Sequence, residues 1–317
     1  METQDQGLDC EIEDTYAEAF KGIYAEVLIT ARDREWLDRA VTACTGHASS
    51  TIMCDCEAGI DRYLDESLTP DNRPGAIVQF HVPKFKRNRE RHLEKVLIAR
   101  LSQNVLTCPT ARVFNMLDDG EYFTVGKKIA FFGDGYQFRA ERYGCKLWVI
   151  PIMGGEFELS RRFGFREGVM GGNLWFMGET VDAAITAART AALAADATPG
   201  VVTTFPGGVA SSASKAGSKY KFLIASTFEK YCPTLREELG EESGVPQGVT
   251  SIMEIIVNGS SLQDVANATY AAITAAKSTP GLKLITAGNY NGRLGQSFIY
   301  LKPELHPVES LAAETNN

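Results

Sequence analysis

The sequence predicts an α+β fold of two tandem ferredoxin-like lobes, each a split β-α-β unit, with a β-hairpin insertion in the first. Three observations predict it. The order β-α-β-β-α-β can be read twice along the chain, and both helices of the second half end in the same punctuation, Thr198-Pro199-Gly200 and Thr279-Pro280-Gly281. Proline cannot continue a helix and glycine permits the turn that follows. Between the two halves, at about 126–168, the pattern changes to two-residue alternation.

In the first half, residues 25–31 (AEVLITA) alternate as a strand, and Asp33 caps a helix through Thr45 whose apolar positions Trp36, Leu37, Ala40, Val41 and Cys44 follow helical spacing. Gly46 stops it. Residues 50–56 read as the next strand, 57–75 as a polar loop and 76–82 as a third strand. A helix over 89–106 carries Leu93, Val96, Leu97, Leu101 and Val105 on one face, and a strand over 112–116 follows Pro109. The insertion is expected to turn at Asp134-Gly135 and at Tyr143-Gly144. The second half repeats the order: strand 173–178, helix 181–195, strand 201–205, a long loop at 206–249, strand 250–257, helix 262–276 and strand 282–287. The expected domains are therefore 1–170, 171–302 and a flexible tail at 303–317.

With 317 residues, 44% hydrophobic and 23% charged, the chain has the composition of an ordinary globular protein. A net charge of −8 and a pI of about 5.2 argue against a nucleic-acid partner. The acidic first residues resemble no secretory signal, and no apolar run approaches the ~20 residues of a membrane span, so a cytoplasmic protein is expected. Seven scattered cysteines suit reduced thiols. Cys54 and Cys56, expected to share one strand face, read as small core residues, and no metal is expected.

The common catalytic templates are missing: there is no G-x-x-x-x-G-K-[ST], G-x-S-x-G, H-E-x-x-H or helix-opening G-x-G-x-x-G. His47, His81, His92 and His306 are dispersed and form no triad by spacing. Two features carry chemistry. The first is the stretch 203–227, TTFPGGVASSASKAGSKYKFLIAST, where Gly207, Gly208, Ser211, Ser212, Ser214, Lys215 and Lys219 combine close backbone approach with hydrogen-bonding and cationic groups. It reads as a ligand-contacting loop, against the alternative of a solvated surface loop. The second is Glu254, which strand alternation places on one face with Ile252 and Ile256. If that face is covered, desolvation raises its pKa and leaves a protonated acid near neutrality. The alternative is an exposed edge glutamate. A basic run, Lys84, Lys86, Arg87, Arg89 and Arg91, reads as a solvated helix start or as a patch for an anionic tail or acidic partner.

Several blocks in order, IEDTYAEAF (12–20), IMCDCEAGID (52–61), FFGDGY (131–136), GGN (171–173), the Gly/Ser/Lys stretch, EIIVNG (254–259) and TAGNYNGRLGQ (286–296), closely resemble the formylmethanofuran:tetrahydromethanopterin formyltransferase family. The resemblance runs from about residue 12 to 301 and implies a homotetramer with no metal or prosthetic group. It implies reversible transfer of a formyl group between the amine of methanofuran and N5 of tetrahydromethanopterin, both bound as substrates. The family's catalytic glutamate falls on Glu254, with Asn173 and Asn289 expected beside the cofactors. Cys54-Asp55-Cys56 departs from the usual Cys-Pro-Ala, and Asn291 and Arg293 stand where Gly and Lys are frequent. The basic run resembles bacterial members, subunits of a formyltransferase/hydrolase complex with an amidohydrolase-like companion. There the transfer would run from formyl-tetrahydromethanopterin to formylmethanofuran during formaldehyde oxidation. The alternative reading is a non-catalytic subunit that holds cofactor for such a hydrolase.

Overall fold

The computed structural model describes residues 10–306, so the expected tail beyond His306 lies outside the described residues. The fold is α+β, with six α-helices among the described residues. Its described residues divide into two compact units, one comprising 21–170 and the other 10–20 together with 171–306.

In the unit of residues 21–170, the strand Tyr16–Thr30 pairs antiparallel with Gly75–Pro83 on one side and Arg112–Asn115 on the other. Glu57–Leu64 pairs antiparallel with the outer edge of Gly75–Pro83. The strands therefore lie in the order fourth, first, third, second, the pairing of a split β-α-β unit. Helices Arg34–Thr45 and Arg89–Arg100 cover one face, where the alternate residues Val27, Ile29, Val78 and Phe80 meet Leu37, Val41, Leu93 and Leu97. The Asp33 side chain accepts from Trp36 N at 3.0 Å, the cap its position predicts. The expected helix 89–106 is Arg89–Arg100 continued by a π-turn, Leu101–Val105.

Two expectations here are corrected. The strand expected at 50–56 is a turn region, and the strand forms at Glu57–Leu64, inside the expected loop. Polar contacts hold the turn: Thr51 N donates to Glu57 at 3.0 Å, His92 Nε2 lies 2.6 Å from the Asp55 carbonyl, and Arg100 reaches Asp55 Oδ1 at 2.5 Å. Cys54 and Cys56 thus precede the strand, with Cys56 buried. Nor is there a hairpin at Asp134-Gly135. Val125, Ile129 and Ala130 instead bury one side of a short helix, Val125–Ala130, which ends through a 3-10 turn into left-handed Asp134 (φ 48°). The turn at Tyr143-Gly144 joins Phe138–Arg142 to Cys145–Ile152, which pairs in turn with Gly155–Ser160.

In the second unit the same strand order recurs. Asn173–Gly178 lies between Leu282–Thr286 and Ser251–Gly259, and Val201–Thr203 pairs with the far edge of Ser251–Gly259, all antiparallel. Ser297–Tyr300 pairs antiparallel with Tyr16 to Ala19, and Glu11–Ile12 adds in parallel to Leu282–Thr286. The first residues therefore belong with this unit rather than with the expected domain 1–170. Helices Val181–Asp196 and Leu262–Ala276 begin at Thr180 and Ser261, whose hydroxyls accept the N–H groups of Ala183 and Asp264 at 3.1 Å. Seven buried alanines on the first helix let the two backbones pack closely. Each helix is followed by a Pro-Gly pair whose glycine is left-handed, Gly200 at φ 81° and Gly281 at φ 79°.

Candidate active site

Strand alternation sends Met253, Ile255 and Val257 of Ser251–Gly259 inward and Ile252, Glu254 and Ile256 to the opposite face. Glu254 is only 7% exposed. In the register with Asn173–Gly178, Glu254 stands directly opposite Trp175. Trp175 Nε1 and Asn173 Nδ2 both donate to Glu254 Oε1, each at 2.9 Å. Burial pushes the Glu254 carboxyl above its ordinary pKa, and the two donors pull it back in part. Desolvation wins, and the group is a weaker acid than a free glutamate.

The expected long loop at 206–249 is a string of short elements around this carboxyl. Gly207 and Gly208 form a 3-10 turn in left-handed backbone (φ 64° and 76°). A Cβ on Gly208 would stand 2.5 Å from Thr203 Oγ1 and 2.8 Å from the Ala192 methyl, so that glycine is required by packing. Ala210 then exchanges two backbone hydrogen bonds with Glu254. Ser211 and Ser212 follow and, with Trp175, Phe228, Tyr231 and Glu254, line a cavity of about 190 Å³. A hairpin of Ser214–Ala216 and Ala225–Thr227 comes next, carrying Tyr220, Phe222 and Ile224 exposed near its tip.

The remaining expected site residues are not among those that line this cavity. Ser214 accepts the Tyr290 hydroxyl at its carbonyl at 2.8 Å. Lys215 is ion-paired to Glu229. Lys219 is exposed on the hairpin, its ammonium 5.2 Å from the centre of the Tyr220 ring. Asn289 Nδ2 donates to Thr15 Oγ1 at 2.8 Å. Asn173 acts on Glu254 itself.

Sequence reasoning missed the aromatic wall. Trp175 meets Phe228 and Tyr231 edge-on, with ring centres 5.8 and 4.6 Å away. It also missed Glu18, a buried carboxylate that accepts backbone N–H bonds from Tyr290 (2.5 Å), Gly292 (2.8 Å), Leu294 and Gly295 (both 2.9 Å). That clasp shapes the loop carrying Asn289 and Tyr290. Burial raises the Tyr290 phenol, and the carboxylates of Glu254 and Glu18 raise it further. A two-residue step from Asn173 to Trp175 was legible as a shared strand face.

The site thus presents a buried acid, two serines and an aromatic wall lining one cavity. That set suits proton transfer to a group held in the cavity.

A family profile described as formylmethanofuran-tetrahydromethanopterin formyltransferase matches residues 7–152, and one described as FTR, proximal lobe, matches residues 155–303. The formylmethanofuran–tetrahydromethanopterin formyltransferase of Methanocaldococcus jannaschii is 46% identical over 290 residues, covering 90% of this chain and 94% of that protein. That of Archaeoglobus fulgidus is 45% identical over 92% and 97%. The solved formyltransferase of Methanosarcina barkeri superposes with a TM-score of 0.87 at 41% identity, covering 95% and 99%. A chain of the formyltransferase/hydrolase complex from Methylorubrum extorquens, solved with methylofuran, gives 0.85 at 35% identity, covering 93% and 96%. The chain belongs to the formylmethanofuran–tetrahydromethanopterin formyltransferase family.

Proposed function

We propose that this formyltransferase moves a formyl group directly between the amine of methanofuran and N5 of tetrahydromethanopterin, with Glu254 as the acid and base. The observation that carries the mechanism is a carboxyl 7% exposed, raised by burial, at the wall of a cavity lined by Ser211 and Ser212. The amine attacks the formyl carbon and the carbonyl becomes a tetrahedral oxyanion. As the bond from that carbon to N5 breaks, Glu254 gives its proton to the departing nitrogen, and the carboxylate then takes the proton released by the attacking amine. Atoms and charge balance without a covalent enzyme intermediate. Holding both carriers together supplies much of the acceleration.

The direction proposed is from formyl-tetrahydromethanopterin to formylmethanofuran, in a homotetramer that associates with amidohydrolase-like and other subunits. Ser211, Ser212, Gly207, Gly208, Ser214, Lys215, Lys219, Asn173 and Asn289 are proposed to contact or shape the carrier sites. The purified chain alone, given formyl-tetrahydromethanopterin and methanofuran, should form formylmethanofuran. Absence of transfer by a folded chain, with transfer restored only by other subunits, would favour the cofactor-holding role instead.

A further inference from the structure

We propose that Trp175, Asn173 and Gly288 are positioning residues that make the two oxygens of Glu254 inequivalent, confining the transferable proton to Oε2. The proposal rests on the reading of Glu254 as the acid and specifies the atom from which it acts. Both side-chain bonds to the carboxyl converge on Oε1, one from an indole N–H and one from an amide N–H. Neither donor atom can accept. An oxygen receiving two such donors has no free direction for a proton of its own, so the neutral acid carries its hydrogen on the other oxygen. Among the described residues, no side chain bonds Oε2.

The donors are themselves fixed. They sit two residues apart on one strand, so their side chains leave from one face. Trp175 is 2% exposed and braced by Phe228 and Tyr231. Gly288 closes the arrangement from behind: a Cβ there would stand 2.6 Å from Asn173 Nδ2 and 2.6 Å from Trp175 Cζ2. Any side chain at 288 would therefore displace both donors at once. The backbone of Glu254 is held as well, its own N–H and C=O bonded to Ala210 at 2.8 Å.

The variants Trp175→Phe, Asn173→Ser and Gly288→Ala in the full chain test this, with Glu254→Gln as reference. Removing a donor that favours the carboxylate lets the neutral acid persist to higher pH. Each single donor variant should move the alkaline limb of the pH–kcat profile up by about one pH unit, with KM changed less than about threefold. Gly288→Ala should move it at least as far. Without substrate, the infrared carbonyl band of protonated Glu254, identified by its loss in Glu254→Gln, should shift to higher wavenumber in all three. A Glu254→Gln enzyme with near-normal turnover would overturn the acid reading itself. If Glu254→Gln abolishes transfer but the limb and the band stay in place in the folded variants, the acid reading stands and this proposal falls. Should Trp175→Phe fail to fold, the other two variants decide alone.

Discussion

Ala210 and Glu254 exchange both of their backbone hydrogen bonds, N–H to C=O at 2.8 Å in each direction, as an isolated antiparallel bridge. This contact ties the Gly/Ser segment to the strand that carries the acid. Ser211 and Ser212, the next two residues, therefore enter the cavity at a fixed distance from the carboxyl instead of ranging as a free loop.

Glu254→Gln keeps the shape and a donor but has no transferable proton. Turnover should fall roughly 10²–10⁴-fold while substrate binding is retained, and the alkaline limb of the pH–rate profile should vanish. Because burial raises this carboxyl, the protonated form is favoured at lower pH, and activity is lost as pH rises through its folded pKa. Steady-state kinetics across pH check this; an unchanged profile would make Glu254 structural.

Lys215 is paired with Glu229, the residue after Phe228 of the aromatic wall. If the lysine works by tethering its hairpin to that wall, Lys215→Met and Glu229→Gln should raise KM equally, by about two- to fivefold for the loss of one partly exposed ion pair. A lysine acting on substrate directly would instead show a rise in Lys215→Met alone.

Glu18 satisfies four backbone donors with two oxygens, so Glu18→Ala strands all four. A loss of about 2–3 kcal/mol of stability is expected, since an orphaned buried donor costs ~1–3 kcal/mol and only that of Gly295 is fully buried, the other three being part-buried. Amide exchange at Tyr290, Gly292, Leu294 and Gly295 should accelerate before that of the surrounding strands. Uniform protection in the variant would deny Glu18 its part in shaping the loop.

His81 lies buried, Nε2 2.9 Å from Gln79 Oε1, whose amide donates to Glu26 at 3.0 Å. Burial depresses the imidazole from 6.5 to about 3, so the unfolded chain binds a proton in that window and the folded chain does not. The stabilising contribution is fully present above pH 6.5 and is lost as pH falls toward 3, at up to ~1.4 kcal/mol per pH unit. Glu26, raised by burial and by Asp61, acts in the opposite sense and remains in a His81→Gln variant. The difference in melting temperature between wild type and His81→Gln should therefore grow with pH; a constant difference would contradict a neutral buried His81.

Helix limits were legible because they are set by local chemistry, as at Asp33 and at the two Pro-Gly pairs. The strand Glu57–Leu64 was not legible: in EAGIDRYL only Ala58 and Ile60 mark the core face before the register shifts at Asp61, and the buried carboxylates Glu57 and Asp61 read as loop residues. Within the site, Glu254 could be read from the isoleucines on its own face. Glu18 could not, because its four partners lie more than 270 residues along the chain and no local pattern records them. Gly288 was silent for a similar reason. Its constraint is a space filled by Asn173 and Trp175, which only the folded strands bring to it.

Glu18, Glu254 and the 290–295 loop all belong to the unit assembled from both ends of the described chain, whereas residues 21–170 form a continuous segment. During synthesis the continuous unit can complete its contacts while residues up to Phe20 still wait for partners that have not been translated. The entropy of closing so long a loop grows only with the logarithm of its length, and the larger consequence is one of timing. The loop clasped by Glu18 can thus become native only after residue 295 has been made, and a chain arrested before that point would hold the continuous unit folded with the clasp still open.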